Sequence, residues 1–167
     1  YARLEIYNEG RGSIMQKITK FFISFMIISN FAPNALANYS IDDVAACAGV
    51  IVGNGAVDYM LEDEESFDNS AQFAYSAYLS LVLTNPQSQD EIAFADQILG
   101  GNVDKVIIAY NNDAFDYDLY EEIIGCYRML SVVALENAET ILEGSGRIQP
   151  IIDSQLDKLK RMLSAGL

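Results

Sequence analysis

The 167-residue chain has no histidine and no tryptophan, only three prolines, two cysteines and ten basic residues. The missing histidine excludes most. Ser-His-Asp and Cys-His catalysis, His-ligated haem and every Cys/His zinc site fall away with it. The scarcity of Lys and Arg argues against nucleic acid, whose phosphates call for clustered positive charge. Two cysteines without a C-x-x-C spacing give no motif that would lower a thiol pKa for redox catalysis. What is present is apolar and acidic: 51% hydrophobic residues, 24 acidic residues and a net charge of −14. That apolar fraction is too high for a disordered chain, and the length suits one domain with a packed core.

The first methionine, Met15, opens a three-part secretory pattern. Lys17 and Lys20 form a basic start, and residues 21–31 (FFISFMIISNF) form an apolar run that Pro33 ends. Ala35-Leu36-Ala37 then offers the small residues a signal peptidase reads, which predicts a signal peptide over 15–37 cleaved after Ala37. At about 11 residues the run falls short of the ~20 a membrane-spanning helix needs. Residues 1–14 are expected to be untranslated leader read in frame, because Gly10-Arg11-Gly12 can be encoded by a purine-rich, ribosome-binding-like stretch just before Met15. The expected molecule is therefore a single helical domain over 38–167, exported from a bacterial cell and periplasmic or secreted.

Residues 1–37 hold four basic side chains (Arg3, Arg11, Lys17, Lys20) and two acidic ones (Glu5, Glu9). The remaining chain thus has 6 basic and 22 acidic residues and a net charge of −16. Such a charge repels nucleic acid and anionic lipid, so neither nucleic-acid binding nor membrane insertion after cleavage is expected. It suits a cationic protein partner.

In an oxidising compartment, two cysteines most simply form one disulfide, Cys47–Cys126. Closing a loop of about 80 residues is worth roughly 4 kcal/mol in the chain-entropy model. Val44-Ala45-Ala46-Cys47 also has the residue types of a lipoprotein cleavage box. Pro33, Asn34, Asn38 and Asp42-Asp43 separate it from the apolar run, so Ala35-Leu36-Ala37 is the preferred site.

Periodicity predicts an all-α protein, a compact bundle of four to five helices stapled by that disulfide. Ser40 with Asp43 and Ser88 with Glu91 read as capping boxes, and Asp118 with Glu121 as a third. The first helix carries Gly49, Gly53 and Gly55, with a break at Gly53-Asn54-Gly55 as an alternative. Its glycines suggest close approach of a neighbouring backbone. The second helix ends near Asn85, before Pro86. The apolar face of the third stays in phase through Gly100-Gly101. In the fourth, Ile123, Cys126, Leu130, Val133, Asn137 and Ile141 share a face, and Gly144-Ser145-Gly146 is its expected stop. A last helix is expected from about Pro150.

The densest acidic cluster is Asp113, Asp116, Asp118, Glu121 and Glu122, interleaved with Phe115, Tyr117 and Tyr120. Calcium would need six to eight oxygens, and neither the Gly nor the Glu of an EF-hand loop falls in place, so no metal or cofactor is expected. Aromatics beside carboxylates suit a contact surface for a cationic protein. The alternatives are solvated acids capping a helix, and tyrosines at the rim of the core. A hydrolase using carboxylates alone would need a lone acid among apolar residues, for which Asp58 and Glu136 are the candidates. A structural envelope component without a discrete site is the remaining reading.

Cys47-Ala48-Gly49-Val50-Ile51-Val52-Gly53, with Asp58 beyond, resembles the N-terminal motif of small periplasmic immunity proteins that neutralise type VI secretion effectors. The resemblance implies a disulfide-stapled helical protein and a toxin-neutralising role. The further cysteines of that family are absent and the spacing from Tyr78-Leu79 to Pro86 is longer, so the chain is not assigned to it.

Overall fold

Ser40 starts the first helix as the capping box predicts. In the computed structural model, which describes residues 39–85 and 87–165, the Asp43 amide donates to Ser40 Oγ at 3.1 Å and the Ser40 amide to Asp43 Oδ2 at 3.3 Å. The leader and signal peptide expected at 1–37 lie outside the described residues. Helix α1, Ile41–Met60, runs unbroken through Gly53-Asn54-Gly55. It is buried on every side from Cys47 to Asp58, which makes it the axis of the fold. Helices α2 (Glu64–Thr84), α3 (Gln89–Asn111), α4 (Tyr117–Glu136) and α5 (Ala138–Ser164) all contact it. No strand occurs among the described residues.

The glycines of α1 explain how the neighbours come so close. A Cβ on Gly49 would run into the Leu99 carbonyl oxygen of α3, and one on Gly53 would lie 2.9 Å from Val106 Cβ. The helix-propensity cost of these glycines is therefore offset by packing that no larger residue permits. In α3, by contrast, Gly100 and Gly101 face open space. The helix continues through them because Ala95, Leu99, Val103 and Val106 stay buried against α1 on the other face.

Two boundaries differ from the sequence reading. Helix α4 is capped by Asp116, whose Oδ1 accepts from the Leu119 amide at 3.0 Å, and not by Asp118 with Glu121. The chain reverses just after α3: Asp113 takes a left-handed φ of 55° and the Ala114 amide donates to the Ala109 carbonyl at 2.8 Å. Asp116 is then the extended residue that can cap. Cys126 lies in the middle of α4.

The second difference is α5, which begins at Ala138 and passes through Gly144-Ser145-Gly146 and Pro150 without a break. The interruption falls at Asn137, which both ends α4 and starts α5. Its side-chain amide donates to the Val133 carbonyl at 2.8 Å and its Oδ1 accepts from the Thr84 hydroxyl at 3.2 Å. Gly144 is buried and serves packing, since a Cβ there would lie 3.2 Å from Ile148 Cδ1 and 3.6 Å from Leu83 Cδ1. A buried row of Ile148, Ile152, Leu156 and Leu159 holds the helix across Pro150, which is exposed.

Two crosslinks tie the bundle. Cys47 and Cys126 form a disulfide between α1 and α4, with Cα atoms 4.8 Å apart. At the other end, Lys160 of α5 places Nζ 2.7 Å from both Glu64 Oε1 and Asp68 Oδ1 of α2. It also lies 5.7 Å from the centre of the Phe67 ring. Desolvation works against its charge, but hydrogen bonds to Asp68 and Glu64 hold its pKa above the ordinary lysine value. No helix among the described residues is long and apolar enough to cross a membrane.

Candidate functional site: an acidic corner between two helices

The acidic cluster forms the corner where α3 ends and α4 begins, and its members do different work. Asp116 is committed to capping α4. Glu122, one turn and a half into α4, receives Lys105 of α3, whose Nζ lies 2.6 Å from Glu122 Oε2. Asp113, Asp118 and Glu121 are exposed and form no ion pair with Lys or Arg among the described residues.

The aromatic residues divide in the same way. Phe115 is half-buried and packs against the core. Tyr120 is also half-buried. Tyr117 stands out at 71% exposure, in the first turn of α4 between the exposed carboxylates. A hydrogen bond to Glu121, reinforced by that residue's charge, raises the pKa of its phenol. Beside it lies an open hollow of about 290 Å³ lined by Lys105, Ala109, Ala114, Asp116, Asp118 and Leu119. No group of three or more Cys, Asp or Glu side chains converges as a metal site among the described residues.

Cys126 anchors the same helix nine residues after Tyr117, so the disulfide fixes α4, and with it the corner, to the buried axis of the fold.

The two candidate catalytic acids lie apart from any cavity described here. Asp58 is buried near the end of α1, and its carbonyl accepts from the Leu61 and Asp63 amides. Glu136 is exposed in the last turn of α4. Neither lines the corner hollow or the cavity described next.

A smaller cavity of about 90 Å³ between α2, α3 and α5 escaped the sequence reading. Tyr75, Tyr78, Ile92, Asp96, Ile151 and Gln155 line it, and the Tyr78 hydroxyl donates to Asp96 Oδ1 at 2.9 Å. Burial, joined by the charge of Asp96, pushes the Tyr75 phenol up to about 12. Tyr78 is raised further, by burial first, then by the hydrogen bond to Asp96 and the charges of Asp96 and Asp42. The available signal was the position of Asp96, directly after buried Ala95 and so at the edge of the apolar face of α3.

Comparison with protein-family models, with curated proteins and with solved structures returned no match. The resemblance to immunity proteins stays confined to residues 47–53 and Asp58.

Proposed function

We propose that the chain is a small acidic exported protein, periplasmic or secreted, that works by binding a cationic protein partner in the manner of an inhibitor or immunity module. The observation that carries this reading is Tyr117, exposed beside Asp113, Asp118 and Glu121, which pair with no Lys or Arg among the described residues. An exposed tyrosine offers a large, rigid contact area at low entropic cost, and such residues dominate interface energetics. The surrounding charge would speed encounter with a basic surface and reject acidic ones. Export is supported by the disulfide, a bond that persists in oxidising compartments.

The test compares the disulfide-bonded protein with a variant carrying Tyr117→Ala, Asp118→Asn and Glu121→Gln. Both are immobilised and exposed to envelope extract. A basic protein held by the native surface and released by the variant supports the reading. The same proteins held equally by both would remove the acidic corner as the binding surface. Intact mass of the natural protein tests export separately: it should begin at Asn38 and lack the two thiol hydrogens.

A further inference from the structure

The cavity between α2, α3 and α5 combines three features that the corner hollow lacks together: enclosed aromatic groups, aliphatic walls and an unneutralised carboxylate. Tyr78 is almost wholly buried, and Tyr75 nearly so. Ile92 and Ile151 supply aliphatic surface, and Ile151 is half exposed at the rim. Asp96 is exposed and spends one oxygen on the Tyr78 hydroxyl. Neither Asp96 nor Asp42, the two carboxylates whose charges reach Tyr78, pairs with Lys or Arg among the described residues.

We propose that this cavity receives the ammonium or guanidinium end of a lysine or arginine side chain carried by a protein partner. A cation is attracted both by the carboxylate and by the π-faces and phenol oxygens of tyrosine. The aliphatic stem of Lys or Arg finds matching surface at Ile92 and Ile151. The volume argues for a tethered group over a free ligand. At about 90 Å³ the cavity accepts a cationic head and little else, so the rest of the contact must come from the body that carries it. The net charge of −14 favours approach of a basic partner.

This inference rests on the binding reading but not on the acidic corner. Asp96 precedes Lys105 by nine residues on α3, about two and a half turns, so the two side chains leave the helix on roughly opposite sides. The cavity is thus a second point of attachment.

The test titrates the full, disulfide-bonded protein, carrying carbon-13 in its tyrosine rings, with the amides of acetyl-arginine and acetyl-lysine. Acetyl-glutamine amide serves as the neutral control. The ring resonances of Tyr75 and Tyr78 should shift saturably with both cationic probes and not with the control. Asp96→Asn keeps an oxygen to accept the Tyr78 proton while losing the charge, and should weaken the effect roughly tenfold or more. Ile151→Lys, on the exposed rim, should abolish it by supplying a competing ammonium, and decides the matter if Asp96→Asn unfolds. Equal shifts with the neutral probe, or full shifts in both variants, would overturn the proposal. Shifts confined to residues 113–122 would overturn it while sparing the acidic corner. Silence at both places would count against the binding reading as well.

Discussion

Gly49 of α1 faces the Leu99 carbonyl of α3 with no room between them for a methyl group. The separation of the two helices is therefore set by backbone, at the most buried element of the protein. Gly53 repeats the arrangement one turn later against Val103 and Val106.

Gly49→Ala should accordingly destabilise the protein by about 3 kcal/mol or more, because the clash is with a main-chain atom that cannot rotate away. Gly100→Ala and Gly101→Ala meet nothing and should each stabilise by ~0.5–1 kcal/mol through helix propensity. Urea denaturation of the three variants beside the native protein checks both signs.

Reduction of the Cys47–Cys126 bond, or its replacement by two serines, should cost roughly 4 kcal/mol, the loop-closure value for 79 residues of separation. The denaturation midpoint of the native protein with and without reductant measures it. An unchanged midpoint would mean the bond adds nothing to stability.

Tyr75 and Tyr78 make stability depend on alkaline pH. Both phenols have folded pKa values above the ordinary 10.0, so the folded state holds their protons more tightly than the unfolded chain does. This contribution is fully present below about pH 10 and is lost as pH rises through the folded values. For Tyr75, raised to about 12, the loss is on the order of 2–3 kcal/mol across that window. Tyrosinate absorbance should show Tyr75 and Tyr78 among the phenols that titrate late, beside the exposed Tyr117, and Tyr78→Phe should remove one of the buried pair.

Lys160→Met preserves the aliphatic stem and deletes the ammonium shared by Glu64 and Asp68. With Glu64 63% exposed and Asp68 37%, solvent screens much of the attraction, so a loss of ~1 kcal/mol is expected, shrinking further in high salt. Thermal unfolding at two ionic strengths tests this.

The helices that could be read from sequence are those whose ends are fixed by neighbours in the chain. Ser40 with Asp43 and Ser88 with Glu91 make their caps locally, and α2 ends at Thr84, close to where the proline at 86 in the sequence predicts a stop. The α4–α5 boundary was misread because its determinants are distant. Asn137 is held by Thr84, 53 residues away, and Gly144 faces Leu83 of another helix. In the acidic corner the carboxylates were legible but their employment was not. Nothing local says that Glu122 meets Lys105, or that Phe115 turns to the core while Tyr117 does not. The Tyr78–Asp96 pair joins two helices across 18 residues, beyond the reach of any periodicity within one helix.

The disulfide has a further consequence for how the protein withstands proteolysis. All three connections that follow α1 up to α4, at 61–63, 85–88 and 112–116, lie between Cys47 and Cys126. A single cut in any of them yields two chains that remain one covalent molecule, with α1 still clasped to α4. Clipping at these bends would be visible on a reducing gel and invisible on a non-reducing one.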